Sequence, residues 1–109
     1  MKFREFEEEA RKAITSALAA LGFPISVVEV SPPNDTSLGD LATPIPLKLS
    51  KQLQKPPYEI ARMMSEFISR KVEKDLVASV EAHPSGYLNF RLDWARFTHE
   101  SIGEILASG

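Results

Sequence analysis

Three side chains suited to binding an unpaired nucleobase alternate along residues 87–92, whose sequence is YLNFRL. The strict alternation of polar and apolar residues is typical of a β-strand with one face in the core, which would leave Tyr87, Asn89 and Arg91 together on the other face. An aromatic ring can stack on a base, an amide can read a base edge, and a guanidinium can meet a phosphate. The alternative is an ordinary half-exposed strand, and the spacing alone favours that alternative.

Lysines form a second candidate contact with a polyanion. Lys48, Lys51 and Lys55 follow one another at steps of three and four residues, so they would share one stripe of a helix. Such a stripe can follow a phosphate backbone, although a solvated lysine face explains it at least as well. Residues 42–74 contain seven basic and three acidic residues, whereas both flanking segments are net acidic. Any contact with an anionic partner should therefore be local.

No catalytic, cofactor or metal site is expected in this chain. His83 and His99 are the only histidines, and neither has a neighbour at the spacing of a metal site or a proton relay. The sequence has no Gly-x-Ser-x-Gly motif and no glycine-rich phosphate loop. We expect no reaction from these residues alone.

Composition sets further limits on the class of protein. The 109 residues fit a single domain spanning 1–109, and 43% apolar with 26% charged residues is typical of a folded soluble protein. The absence of cysteine excludes disulfides and thiolate chemistry and favours a reducing compartment, so we expect a cytoplasmic location. No apolar run reaches the ~18 residues of a membrane span. A formal charge of −2 argues against a strongly basic nucleic-acid binder.

The elements that would position these residues read in the order α-β-α-α-β-β-α. We predict an α+β fold in which a small antiparallel sheet of three or four strands packs with about four helices. Two detailed predictions are that Asp40 caps the second helix, with regular helix from near Thr43, and that Asp93 caps a last helix whose Trp94 faces inward. The predicted helices cover 3–21, 43–53, 57–72 and 94 onward, and the strands cover 25–30, 76–82 (with Leu76, Ala78, Val80 and Ala82 on one face) and 87–92.

Three motifs follow one another along the chain in a specific order. Residues 32–43 read PPNDTSLGDLAT, residues 49–61 read LSKQLQKPPYEIA, and residues 86–92 read GYLNFRL. Together they resemble the N-terminal additional domain of arginyl-tRNA synthetases, which has Pro-Pro…Gly-Asp-aromatic-Ala-Thr, Leu-Ala-Lys…Lys-x-Pro-x-Glu-Ile-Ala and Gly-Phe-Ile-Asn-Phe-Arg-Leu. Leu41 stands where the family has an aromatic residue, and His83-Pro84-Ser85-Gly86 replaces its Gly-Pro-Gly turn.

The resemblance implies a non-catalytic α+β domain that contacts the D-loop at the elbow of tRNA(Arg). It implies that Tyr87 packs against an exposed D-loop base and that Asn89 contacts the same base. It also implies a longer parent enzyme, in which an absent catalytic domain uses ATP to activate arginine and a further absent domain binds the anticodon. We expect the chain to be an excised domain of that enzyme. The rival hypotheses are a free-standing protein-interaction or regulatory domain without RNA binding and, as the weakest, a small independent enzyme.

Overall fold

Three helices and a three-stranded antiparallel sheet form the described part of the chain, residues 2–24 and 28–95 of a computed structural model. The predicted α+β class is confirmed. The helices are α1 (Lys2–Leu21), α2 (Ile45–Leu53) and α3 (Pro57–Lys71), and the strands are β1 (Leu41–Thr43), β2 (Val77–Ala82) and β3 (Leu88–Leu92). A short 3-10 turn covers Thr36–Leu38.

Strand β3 lies at the centre of the sheet, in the order β1-β3-β2. Asn89 is opposite Ala42 of β1 on one side and Glu81 of β2 on the other. The residues of β3 predicted to face the core, Leu88, Phe90 and Leu92, are 0–3% exposed. The alternating pattern therefore predicted the core face of this strand correctly.

Helices α1 and α3 supply most of the remaining core. The fully buried Phe6, Ile14 and Leu18 of α1 belong to one cluster with Ile60 and Met64 of α3 and with the inward residues of β3. Three- and four-residue spacing places these apolar side chains on one face of each helix. Within 2–24 and 28–95, no helix is long and apolar enough to cross a membrane.

The segment before α2 differs from the prediction. Asp40 does not cap a helix: its Oδ2 accepts a hydrogen bond from the Leu92 backbone N–H at 2.8 Å, and the next three residues form β1. Thr43 precedes Pro44, and a residue before proline is disfavoured in the helical conformation, so Thr43 remains extended. Helix α2 begins at Ile45, with Pro46 in its first turn, and the Ile45 N–H donates to Thr43 Oγ1 at 3.3 Å. The predicted start of α3 at Pro57 is confirmed.

Two predicted strands need correction. Residues 25–27 of the predicted strand 25–30 lie outside the described residues, and residues 28–30 are not in a strand; a single bridge pairs Ser31 with Ala42. In β2 an irregularity between Val77 and Ser79 breaks the alternation. As a result Val77 is buried and Ala78 exposed, the reverse of the predicted faces.

The predicted last helix is only partly within the described residues. Trp94 is 55% exposed, so the expectation that it faces inward is wrong. The remainder of that prediction, residues 96–109, lies outside the described part of the chain.

Candidate nucleic-acid interface

Tyr87 and Asn89 line the same cavity, which has a volume of about 370 Å³. This falls in the lower part of the ~300–1,000 Å³ range of ligand pockets. One wall comes from the turn before β3 and from β3 itself, and the other from residues 31–38, which we call the wall loop. The lining residues are Ser31, Pro32, Pro33, Asn34, Asp35, Leu38, Ala42, His83, Ser85, Tyr87 and Asn89.

The turn before β3 sets the position of Tyr87. The His83 N–H donates to the Tyr87 carbonyl at 2.9 Å, and the Leu47 N–H at the start of α2 donates to the Gly86 carbonyl at 3.0 Å. Gly86 has φ +97°, and a Cβ there would lie only 2.5 Å from Pro57 Cβ. Only glycine allows so close an approach in this conformation. The turn is thus held against the first turns of α2 and α3, and the Tyr87 side chain, 39% exposed, stands at the cavity.

Asn89 is less accessible than the sequence suggested. Asn89 is only 5% exposed, because the wall loop and the neighbouring strands flank it. Gly39 lies so close to β3 that a Cβ there would be 3.4 Å from Asn89 Cβ and 3.0 Å from the Phe90 carbonyl oxygen. Among the hydrogen bonds of residues 2–24 and 28–95, none involves the side-chain amide of Asn89. No side-chain N or O atom of the described residues is both buried and unpaired, so the Asn89 side-chain amide is reached from the cavity and has free donors and acceptors to offer a ligand there.

Arg91 does not line the cavity. Its Nη2 donates to the Ser37 carbonyl at 2.8 Å, and its Nε lies 3.4 Å from Glu81 Oε1. The structure therefore divides the predicted row of three side chains: Tyr87 and Asn89 meet at the cavity, while Arg91 reaches from β3 to the wall loop at Ser37.

The three lysines also lie in different environments. Lys48 Nζ forms an ion pair with Glu29 at 2.9 Å on the surface. Lys51 is exposed in the last turn of α2. Lys55 lies beyond Gln54, which ends the helix in a left-handed conformation, so it does not continue the predicted helical stripe. None of the three lines the cavity.

Two polar groups on the cavity rim have defined hydrogen-bonding states. Asp35 Oδ1 accepts from the Ser37 hydroxyl at 2.7 Å and from the Ser37 N–H at 3.0 Å, and these bonds hold the pKa of Asp35 below its ordinary value. The Ser85 N–H donates to His83 Nδ1 at 3.1 Å. That nitrogen must therefore accept, which leaves the proton of the neutral ring on Nε2. The rim offers a carboxylate acceptor and an imidazole donor.

Sequence reasoning missed the wall loop and the His83–Ser85 turn as parts of the site. The available signal was positional, since both are runs of turn-forming residues and loops beside a rigid sheet commonly contribute binding residues. Within 2–24 and 28–95, no group of three or more His, Asp or Glu side chains could hold a metal ion.

Comparisons with known proteins converge on one family. The family model that matches is the arginyl tRNA synthetase N terminal domain, over residues 8–92, a range that includes every residue lining the cavity. The arginine–tRNA ligase of Methanothermobacter thermautotrophicus is 31% identical over 94% of this chain and 18% of its own length. That of Parvibaculum lavamentivorans is 32% identical over 98% of this chain and 18% of its own length.

A solved structure gives the same result. The Thermus thermophilus arginyl-tRNA synthetase matches with a TM-score of 0.71 and 30% identity, over 85% of this chain and 15% of that one. The chain thus spans less than a fifth of the length of these relatives.

Proposed function

Because the chain belongs to the arginyl-tRNA synthetase N-terminal domain family, we propose that it is the tRNA-binding appended domain of an arginine–tRNA ligase and contacts the D-loop at the elbow of tRNA(Arg). The observation that carries this proposal is the pair of Tyr87 and Asn89 in one cavity, with the Asn89 amide unpartnered among the described residues. An unpaired base entering the cavity meets an aromatic ring and an amide with both a donor and an acceptor.

The cavity offers the three elements that recognition of an unstacked base requires. Tyr87 supplies a stacking surface, which is worth roughly 1–3 kcal/mol per base. Asn89 supplies hydrogen bonds that depend on the identity of the base edge. The ionised Asp35 at the rim supplies an acceptor for an exocyclic amino group, and its negative charge repels a phosphate, so the base and not the backbone enters the cavity.

Electrostatic attraction to the RNA is small and local in this proposal. Lys48 and Arg91 are already paired with Glu29 and Glu81, so Lys51 and Lys55 remain as the cations on α2 and its end for phosphate contact. Each neutralised phosphate makes the slope of log affinity against log salt more negative by roughly 0.7–0.9. Two contacts predict a slope of about −1.5, far shallower than that of a basic RNA-binding protein.

The remaining features of the parent enzyme belong to the same proposal. We propose that a catalytic domain follows this one in the full-length ligase and that ATP is bound there. The domain then acts by positioning tRNA(Arg) for aminoacylation in the cytoplasm, with no cofactor of its own.

Binding of a tRNA(Arg) transcript to the Tyr87→Ala variant tests the proposal. We expect Tyr87→Ala to weaken binding about 5- to 150-fold through lost stacking. Tyr58→Ala is the matched control, because Tyr58 has a similar exposure of 43% but does not line the cavity. Its affinity should stay within twofold of the wild type.

Transcripts with an abasic site at single D-loop positions identify the base. At the position that enters the cavity, the abasic transcript should bind as weakly as the intact transcript binds Tyr87→Ala, and the two changes together should add little. Equal affinities of the wild type and Tyr87→Ala for every transcript would contradict the proposal and favour a protein-interaction domain.

A further inference from the structure

Arg91 joins the central strand to the wall loop. The guanidinium donates through Nη2 to the Ser37 carbonyl at 2.8 Å, across 54 positions of sequence, while its Nε lies 3.4 Å from Glu81 Oε1. Ser37 itself does not line the cavity, but Asp35 and Leu38 on either side of it do. A contact at Ser37 therefore bears directly on the position of the cavity wall.

The wall loop is held at both ends by backbone pairing. Ser31 exchanges two hydrogen bonds with Ala42, at 3.0 and 2.8 Å. Asp40 is fixed to β3 through its N–H, which donates to the Phe90 carbonyl at 2.8 Å, and through its carboxylate, which accepts from Leu92. Between these anchors, the bond from Arg91 is the hydrogen bond that ties residues 32–38 to the sheet within the described part of the chain.

The middle of the loop has internal structure that transmits this contact. Asp35 Oδ1 accepts from both the N–H and the hydroxyl of Ser37, and the Leu38 N–H donates to the Asp35 carbonyl at 3.0 Å. Residues 35–38 thus form one closed turn. Fixing its Ser37 carbonyl fixes the turn as a unit.

We infer that Arg91 is a positioning residue of the proposed base pocket, which holds the wall loop at a set distance from Tyr87 and Asn89. The inference rests on the proposed function. It differs from a direct phosphate contact, because the charge of Arg91 is already offset by Glu81 and its Nη2 is occupied by a carbonyl. In this role Arg91 keeps the pocket open in the free protein, so that binding does not have to order the loop.

The salt dependence of tRNA binding separates the two roles. For Arg91→Ala we expect about tenfold weaker binding of the intact tRNA(Arg) transcript, because the loop must then be ordered on binding. We expect an unchanged salt slope and a loss of the preference for the intact over the abasic D-loop. A salt slope less negative by about 0.7–0.9 than that of the wild type, with the preference for the intact D-loop unchanged, would overturn the inference and identify a phosphate contact.

A comparison with a variant that removes a negative charge, Asp35→Ala, strengthens the test. Asp35→Ala breaks the same turn and also removes the acceptor that the proposed function assigns to the base, but it takes away a negative charge. A purely electrostatic effect would therefore tighten RNA binding, whereas loss of the wall position and of that acceptor weakens it. We expect both variants to weaken binding, Asp35→Ala at least as much as Arg91→Ala, and tighter binding by Asp35→Ala would contradict the positioning role. Arg62→Ala is the matched control, because Arg62 also pairs with a glutamate at 3.4 Å but only within its own helix.

Amide hydrogen exchange tests the anchor without RNA. In the free chain, Arg91→Ala should speed exchange of the Ser37 and Leu38 amides, while Arg62→Ala leaves them unchanged. Unchanged exchange in Arg91→Ala would refute the anchor even where tRNA binding weakens. If the wild type shows no preference for an intact D-loop, the proposed function fails, while faster exchange in Arg91→Ala still supports the anchor.

Discussion

The segments before and after β2 use polar side chains in opposite ways. Residues 72–77 lead into β2 and include its first residue, and we call them the junction segment. There the Glu9 carboxylate accepts hydrogen bonds from three successive backbone N–H groups at 2.6–3.1 Å. Lys74 Nζ in turn donates to the carbonyls of Ile68, Ser69 and Val72 at 2.9–3.1 Å, at the end of α3. After β2, the His83–Gly86 turn leads to Tyr87 and to Asn89, whose side-chain amide has no hydrogen-bond partner among the residues that the structure describes.

The difference shows how one small domain divides stability from recognition. In the junction segment, long charged side chains satisfy backbone groups that an irregular chain would otherwise leave unpaired. At the cavity, short polar groups sit on a frame fixed by backbone contacts and by glycines and keep part of their hydrogen-bonding capacity. Substitutions in the first region should therefore lower stability, whereas substitutions in the second should lower ligand binding.

Glu9→Ala should give the largest effect in the junction segment. It removes the acceptor of three N–H groups, and because these groups are only partly buried we expect a loss of about 2 kcal/mol in the free energy of unfolding. Urea denaturation measures it, with the m-value unchanged. Glu8→Ala is the control, because within the described ranges Glu8 pairs with Arg11 alone, on the surface, and its loss should stay below about 0.5 kcal/mol.

Glu9→Ala also tests whether the junction segment serves stability and the cavity serves binding. Glu9→Ala should bind the tRNA(Arg) transcript with wild-type affinity at a temperature where both proteins are folded. A loss of affinity as large as that of Tyr87→Ala would show that the junction segment and the cavity are coupled, and the division would then not hold.

Lys74→Met should have an intermediate effect. Methionine keeps an apolar stem of similar length but cannot donate to the three carbonyls, so we expect a loss of about 1 kcal/mol. The matched variant is Lys71→Met, at the exposed last residue of α3, which should change stability by only a few tenths of a kcal/mol. Thermal denaturation followed by circular dichroism measures both, and equal shifts in Tm would contradict the role given to Lys74.

The smallest effect on stability is expected at Asp35, a charged residue of the cavity region whose carboxylate stabilises a turn. Its pKa in the folded chain lies below the ordinary value of 3.8, because the Ser37 hydroxyl and then the Ser37 N–H donate to the carboxylate. The stabilisation of the turn is therefore complete above the unfolded pKa and is lost as the pH falls through the lower, folded pKa. In an NMR titration, the Ser37 amide should change its shift only below about pH 4.

Asp35→Asn provides the reference for that titration. An asparagine can still accept from Ser37 but does not titrate, so the Ser37 amide of the variant should be independent of pH in the same window. A wild-type Ser37 amide that responds above pH 5, or an unchanged response in Asp35→Asn, would contradict the assignment to this carboxylate.

Local patterns predicted the parts of the fold that depend on neighbouring residues. The alternation in residues 87–92 identified the buried face of β3, because successive strand residues point to opposite sides. Apolar spacing identified α1, and proline in the first turn identified the start of α3. The pattern failed at β2, where an irregular register moved Ala78 outward, and at Asp40, which binds β3 and caps no helix.

The proposed site was predictable only in part, because local patterns do not indicate contacts between residues far apart in the sequence. Tyr87 and Asn89 share the cavity because two-residue periodicity places them on one side of the chain. The wall loop lies about 50 residues earlier in sequence, and nothing in its turn-forming residues indicates which strand it covers. The burial of Asn89 and the pairing of Lys48 with Glu29 arise from such distant contacts.

By itself, the amino-acid sequence determined the α+β class, the apolar faces of α1, α3 and β3, and the chemistry available at Tyr87 and Asn89, because these follow from residue type and local periodicity. The tertiary structure alone decided that a loop closes a cavity over Asn89, that Arg91 binds the Ser37 carbonyl and that Glu9 supports the start of β2. These contacts join residues separated by 50 or more positions, and their geometry depends on how the helices pack against the sheet.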